Sequence, residues 1–320
     1  MICEKISLYP EREDATLTTY ILEDSKEMLQ GKRRPAVIIC PGGAYLSCSD
    51  REGEPVAMMF ANLGYHAFVL RYSTYCEGSS TWPDLSKLLP VKEQCLYPAA
   101  MREIGQSMLI LREHEKEWHI DMEKVAICGF SAGGHNAAMY ATHWDSDLLS
   151  GYFGEEKEKF RPAAAIMGYP LSEYCYMNER VRNGDAAGKA FFRSANISYL
   201  GVAKPSHALL HEVSPARYVS RNTPPMFIWS TANDDLVPVQ HSLIMARALS
   251  DAGIPFELHI FEDGPHGLSV STQASAKEKS QISTDIAKWT ELAGCWLEKR
   301  FALLLAECTV MEQTAKDRIL

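Results

Sequence analysis

The chain is short of positive charge, of paired cysteines and of long apolar runs, and each shortage removes a class of function. Thirty-two Lys and Arg against 41 Asp and Glu leave a formal charge of -9 over 320 residues. No continuous basic patch appears, which argues against nucleic acid or an anionic membrane surface as a partner. The nine cysteines (3, 40, 48, 76, 95, 128, 175, 295 and 308) include no C-x-x-C pair. Such an odd set, with Cys40 and Cys128 inside apolar runs, suits thiols that pack as small hydrophobes in a reducing compartment. No stretch reaches the roughly 20 apolar residues of a membrane-spanning helix, and the start Met1-Ile2-Cys3-Glu4-Lys5 lacks the apolar segment of a secretion signal. The expectation is a soluble, cytoplasmic protein without repeats or low-complexity segments.

What is present is material for a large core, 46% hydrophobic residues, read as one α/β domain over residues 1–305 with a polar C-terminal tail over 306–320. Residues 4–9 and the Thr-rich 16–22 predict an antiparallel edge hairpin. The pattern then changes to short continuous apolar runs, Ala36-Val37-Ile38-Ile39-Cys40 and His66-Ala67-Phe68-Val69-Leu70, of the kind that belong to strands covered on both faces. Between them, residues 53–63 read as a helix with Pro55 in its first turn and Gly64 at its end. The alternation goes on with a helix over 99–118, a strand at Val125-Ala126-Ile127-Cys128, a helix after Ser131 and strands at 163–167, 225–229 and 256–261. Helices over 239–251 and 275–305 complete it. Strands alternating with helices imply a mostly parallel central sheet flanked by helices. Residues 171–223 break the rhythm without one clear period, as a cap-like insertion would.

Chemistry enters at Gly129-Phe130-Ser131-Ala132-Gly133-Gly134, where an apolar strand gives way to a helix. A serine on so tight a turn projects its Oγ above the sheet, and a Cβ at either flanking glycine would crowd a neighbouring strand or helix. Ser131 is therefore the candidate nucleophile. A serine hydroxyl needs a general base, and the base needs a carboxylate to fix its tautomer. The chain supplies them in the order Ser, Asp, His: Asp234-Asp235-Leu236-Val237-Pro238 follows one strand and Gly264-Pro265-His266-Gly267 follows the next. In open α/β sheets, loops at the carboxyl ends of strands converge on one crevice. Asp234 and Asp235 are adjacent candidates for that carboxylate, Asp235 reading otherwise as a charge near a helix N-terminus.

Two backbone N–H groups should receive a developing oxyanion. One is that of Ala132. The other comes from the turn Pro41-Gly42-Gly43-Ala44, with Gly43 the first candidate and Ala44 the second. His135 reads as a residue that packs or hydrogen-bonds beneath the loops. His207 and His211 have the spacing of a metal pair but lack a third ligand motif, so no metal is assigned. Arg51 and Glu52 read as a brace for the oxyanion loop in preference to a substrate contact, against the bland alternative of a surface ion pair.

With these motifs in place, the chain resembles the α/β-hydrolase superfamily, and within it the bacterial acetyl esterase/acetyl xylan esterase-like branch related to prolyl-oligopeptidase-type hydrolases. The resemblance covers roughly residues 35–300. It rests on Cys40-Pro41-Gly42-Gly43-Ala44-Tyr45, Arg51-Glu52-Gly53-Glu54-Pro55-Val56-Ala57, Gly129 to His135, Asp234 to Pro238 and Gly264 to Leu268. The family loop usually carries glycine where this chain has Ala44. The resemblance implies an α/β-hydrolase fold, a triad of Ser131, Asp234 and His266, and an oxyanion hole from the Gly43 and Ala132 amides. It implies a serine carboxylesterase that takes small acyl groups, acetyl first, from an alcohol or sugar, with no metal or nucleotide cofactor. Tyr45, Tyr72, Trp82 and Tyr174 are the expected substrate contacts. A serine aminopeptidase or oligopeptidase is the alternative, although the stretch before Pro35 is too short for the propeller domain such enzymes carry. A non-enzymatic binding module on a hydrolase scaffold is the third reading.

Overall fold

A computed structural model describes residues 1–29, 31–79, 81–303 and 305; the expected tail, 306–320, lies outside them. Eight strands form one sheet: β1 (Lys5–Tyr9), β2 (Arg12–Tyr20), β3 (Arg34–Cys40), β4 (His66–Arg71), β5 (Ile120–Phe130), β6 (Ala164–Gly168), β7 (Met226–Thr231) and β8 (Phe256–Phe261). Their spatial order is β1-β2-β4-β3-β5-β6-β7-β8. β2 runs antiparallel to both β1 and β4, and every other pairing is parallel. The helices are α1 (Glu54–Asn62), α2 (Ala99–Glu113), α3 (Ala132–His143), α4 (Asp147–Phe153), α5 (Tyr174–Arg182), α6 (Ala186–Leu200), α7 (His207–Glu212), α8 (Gln240–Asp251) and α9 (Trp289–Phe301). None is long and apolar enough to cross a membrane among the described residues.

The apolar runs are continuous because both faces of the strands are covered. Ile38 and Cys40 of β3 face α2 and α3, packing with Met101, Ile104 and Tyr140. Their neighbours Val37 and Ile39 face the other way, into a layer with Phe60 of α1 and Trp289 and Trp296 of α9. Met245 and Leu249 of α8 cover Met226 and Ile228 of β7. Complete burial of one such side chain contributes about 1.5–3 kcal/mol.

The parallel register decides where the loops emerge. Cys40 pairs with Gly129, Phe130 with Gly168, Gly168 with Trp229, and Thr231 with Phe261. The carboxyl ends of β3, β5, β6, β7 and β8 therefore lie level, and the segments beginning at 41, 131, 169, 232 and 262 leave the sheet along one edge.

Two helical expectations need correction. The helix expected over 275–305 is formed only over α9. Residues 275–288 instead make turns and short 3-10 segments, one of them closed by a capping box between Glu278 and Gln281. Their Ser, Thr and Asp side chains offer the backbone local hydrogen bonds that compete with a helix. The helix over 99–118 stops at Glu113, where the His114 ring turns to stack on Trp118 with centroids 4.2 Å apart. Within 171–223, three helices form where no single period was visible. Each has its own start signal, a side chain of Glu173, Asp185 or Ser206 accepting an N–H of the first turn.

The glycines flanking Ser131 are fixed by backbone approach. A Cβ on Gly133 would lie 2.0 Å from the Cys40 carbonyl oxygen, and one on Gly129 would lie 2.2 Å from that of Gly133. Gly151, in α4, has open space, its nearest neighbour being the Asp147 Cβ at 3.8 Å. Urea unfolding should therefore separate the two sites. Gly133→Ala is expected to lose about 3 kcal/mol or more through a clash that no rotamer relieves, whereas Gly151→Ala should be neutral or gain up to about 1 kcal/mol.

Candidate active site

Ser131 ends β5 and begins α3 at φ 52°, ψ -119°, a left-handed conformation that costs a non-glycine residue about 1–2 kcal/mol. Its N–H is held by the Gly168 carbonyl at 3.0 Å. The strained turn points Oγ at the loop after β8, where it lies 2.8 Å from Nε2 of His266. Nδ1 of the same ring is 2.7 Å from Oδ2 of Asp234. The other carboxylate oxygen, Oδ1, accepts the N–H groups of Leu236 and Val237 at 3.0 and 2.9 Å. Asp234 is thus anchored on one oxygen and offers the other, which leaves Nδ1 of His266 as the donor and Nε2 free to accept the serine proton.

Asp235 does not take part. It is exposed, and its backbone carbonyl accepts Nη2 of Arg180. The acid and histidine loops are tied together by Asn233, whose Oδ1 accepts the Gly264 N–H at 2.8 Å, and by Thr231, whose hydroxyl donates to the Gly264 carbonyl at 2.8 Å.

The loop after β3 approaches Ser131 from the other side. The Gly42 carbonyl accepts Ser49 N–H at 2.8 Å, and that of Gly43 accepts Leu46 and Ser47 N–H at 2.9 and 3.2 Å. In a trans peptide the N–H points opposite to its C=O, so the N–H groups of Gly43 and Ala44 face away from residues 46–49. Neither they nor the Ala132 N–H have an acceptor among the described residues. Gly43 has φ 133°, and Ala44 and Tyr45 have φ 55° and 59°. Ala44 therefore adopts, at some strain, the backbone that the usual glycine would adopt freely.

An apolar cavity of about 40 Å³ opens between these elements. Ala44, Ser131 and Ala132 form its floor, and Leu171, Tyr174, Phe191, Phe192 and Val237 are among its walls. Tyr45 also reaches it, but as a fixture: its hydroxyl meets Nδ1 of His135 at 2.5 Å, and Nε2 of His135 donates to the Val213 carbonyl at 2.8 Å. Burial lowers the His135 pKa to about 4, which keeps this ring neutral.

Tyr72 needs correction as a substrate contact. It is fully buried and outside the cavity, and its hydroxyl donates to the Pro41 carbonyl at 2.7 Å, so it props the loop from below. Trp82 lies beside the cavity, stacked on Phe191 and donating to Ser47 Oγ at 2.7 Å. His207 and His211 face Cys175 and Tyr218 respectively, and no group of three or more metal-ligating side chains occurs among the described residues. A wider groove of about 990 Å³, lined in part by Arg112, Trp144 and Pro255, lies at the amino ends of the strands and away from Ser131.

Sequence reasoning missed the pair Phe191 and Phe192, as well as Tyr169, which packs its ring against His266 with centroids 4.9 Å apart. The adjacent phenylalanines beside a capped helix start at Asp185 were the available signal for a pocket wall. Tyr169 sits in no motif.

An eight-stranded, mostly parallel sheet with a serine on the turn after β5, and an acid and a histidine on the loops after β7 and β8, defines an α/β-hydrolase. The chain belongs to the BD-FAE family, which it matches over residues 90–249, half of its length. It is similar to MGS-M1, an α/β-hydrolase enzyme from a Medee basin deep-sea metagenome library, at 31% identity and a TM-score of 0.69, covering 95% of this chain and 99% of that one. It is also similar to endo-1,4-beta-xylanase B of Butyrivibrio fibrisolvens, 33% identical over 239 residues, which are 75% of this chain and 33% of the xylanase. The acetylxylan esterase of Xylanibacter ruminicola is 28% identical over 258 residues, 79% of this chain and 45% of that one. The chain thus spans a third to under a half of the length of these curated relatives.

The two carboxylates can be told apart by amide substitution. With p-nitrophenyl acetate, Asp234→Asn should lower kcat by about 10⁴ at neutral pH, because the amide can donate to Nδ1 and stabilise the wrong tautomer, while Asp235→Asn should stay within about twofold of the parent. The loop is tested by Gly43→Val, whose Cβ would lie 2.1 Å from the Ser47 carbonyl oxygen. Its kcat should fall by about 10²–10³. Ala44→Gly should change kcat less than about tenfold and relieve the strain at that position.

Proposed function

We propose that the chain is a serine carboxylesterase that removes small acyl groups, acetyl first, from an alcohol or sugar. The reading is carried by the hydrogen-bonded line from Asp234 through His266 to Ser131, which opens on a cavity of about 40 Å³. In the first half of the reaction, Ser131 Oγ attacks the ester carbonyl carbon as its proton passes to Nε2 of His266. The tetrahedral oxyanion is received by the Ala132 N–H together with that of Gly43 or Ala44. Collapse breaks the ester C–O bond, and the departing alcohol takes the proton from Nε2. Water then repeats the sequence on the acyl-enzyme, releasing the acid and restoring Ser131.

The cavity supports the small acyl group. A water needs roughly 10–15 Å³ of such space, so the cavity accommodates about three water-sized groups, the size of an acetyl, and a longer chain would have to displace Phe191 or Phe192. The acetylxylan esterase relative agrees with an acetyl ester on a sugar. Glycoside hydrolysis, suggested by the xylanase relative, finds no support in the cavity, since that reaction uses a pair of carboxylates and none of the cavity's lining residues is acidic.

A substrate series tests the reading. Against p-nitrophenyl acetate, butyrate and octanoate, kcat/KM should be highest for acetate and lower by about 10² for octanoate, and Phe192→Ala should narrow that gap by raising octanoate. Ser131→Ala should abolish turnover. A rate on an aminoacyl-p-nitroanilide equal to that on acetate would favour a peptidase and overturn the proposal.

A further inference from the structure

Between the oxyanion loop and the histidine loop lies a buried carboxylate that the chemistry above does not use. Glu52, 4% exposed, sits in the short 3-10 turn before α1. Its Oε2 accepts the Gly42 N–H at 2.7 Å and its Oε1 accepts the Tyr169 hydroxyl at 2.6 Å. The Tyr169 oxygen in turn accepts the Ser269 N–H at 2.9 Å, three residues beyond His266. Ser269 Oγ donates to the Arg51 carbonyl at 2.5 Å, and Arg51 precedes Glu52 in the chain, so the path closes on itself. The distances around Gly42 are short: a Cβ built there would lie 2.8 Å from both Glu52 Oε2 and Ser131 Cβ.

We infer that Glu52 and Tyr169 are positioning residues that hold the oxyanion loop and the histidine loop in register across Ser131. This inference rests on the serine-esterase reading. Burying a carboxylate is costly, and apolar replacements of buried ions are often neutral or stabilising, so fold stability alone is a poor reason for Glu52. What a carboxylate provides is acceptance at both oxygens, with hydrogen bonds to a charged acceptor about twice as strong as neutral ones. It orients the Gly42 peptide from one oxygen and the Tyr169 hydroxyl from the other. The Tyr169 ring then bears on the His266 imidazole edge to face, at an interplanar angle of 68°. Movement of either loop by about 1 Å would separate donor from oxyanion or base from serine, a displacement that can cost about 10² in rate.

Three variants cut the tie, two at the Glu52–Tyr169 link and one at both ends of Glu52. Tyr169→Phe keeps the ring against His266 and removes the hydroxyl. Glu52→Gln keeps a carbonyl oxygen for the Gly42 N–H but turns a donor toward Tyr169, so it weakens the same link. Glu52→Ala releases both ends. Rates on p-nitrophenyl acetate are taken per site labelled at Ser131 by a fluorophosphonate, so that unfolded protein is not counted. Tyr169→Phe and Glu52→Gln should each lower kcat by about tenfold with KM within about twofold, and Glu52→Ala should lower it by about 10². The double variant Tyr169→Phe/Glu52→Gln should fall little below the worse single one, because both cut one link. Affinity for an alkyl trifluoromethyl ketone, which forms a tetrahedral adduct on the serine, should fall in step with kcat. Parent-like kcat per labelled site in Tyr169→Phe and Glu52→Gln would overturn the inference, as would losses that multiply in the double variant. A parent enzyme that the probe leaves unlabelled at Ser131 would instead sink the serine-esterase reading.

Discussion

The site depends on one backbone contact, the approach of Gly133 to the carbonyls of Cys40 and Pro41, which a Cβ would meet at 2.0 and 2.4 Å. This contact sets how closely the first turn of α3 sits against the end of β3, and so the distance between Ser131 and the loop that faces it. Because it is made by main chain on both sides, no side-chain adjustment loosens it. Tyr72 supports the same carbonyl from below with a hydrogen bond to Pro41. The left-handed conformation of Ser131 persists because these contacts over-determine the turn, and strain of this kind survives only where surrounding structure holds it.

The central strands β3 to β7 were legible in the sequence because their apolar runs are unbroken, and they are unbroken because α1 and α9 cover one face while α2, α3 and α8 cover the other. Ser131 and Asp234 were legible because each lies just beyond such a run, and His266 because its glycine-flanked loop follows the next strand, β8; a level set of strand ends brings those positions to one edge. Other features had no such signature. Tyr169 also follows a strand end, but its part is defined by partners 117 and 100 residues away, Glu52 and Ser269, and no local spacing encodes that. Residues 275–288 contain enough helix-forming residues to suggest continuity with α9, yet the segment is held to the site instead, Arg51 Nε donating to the Ser275 carbonyl at 2.5 Å and Ser283 N–H to the Ser271 carbonyl at 3.1 Å. Tertiary hydrogen bonds prevailed over propensity there.

The helices of 171–223 do more than line the cavity. Ser198 of α6 donates to the Tyr45 carbonyl at 2.6 Å, and the Tyr199 ring stacks on Tyr45 with centroids 4.0 Å apart. The cavity wall formed by Phe191 and Phe192 therefore belongs to the same helix that fastens Tyr45, at the end of the loop after β3. On the esterase reading proposed above, acyl selection and oxyanion geometry share one element, and a change of packing in α6 reaches both.

The segment 42–45 is consequently held at two ends by different parts of the fold. At its start the Gly42 N–H is fixed by Glu52, and at its end Tyr45 is fixed by His135, Ser198 and Tyr199. Gly43, Ala44 and Tyr45 lie between and at these anchors with positive φ throughout; the Gly43 carbonyl accepts the N–H groups of Leu46 and Ser47, and the Tyr45 carbonyl accepts the Tyr75 N–H and the Ser198 hydroxyl. A loop pinned at both ends and strained in the middle has few ways to rotate its peptide planes. On the esterase reading proposed above, its N–H groups are aimed before any charge develops, which is the condition under which such donors lower a barrier without the cost of reorganising when the reaction occurs.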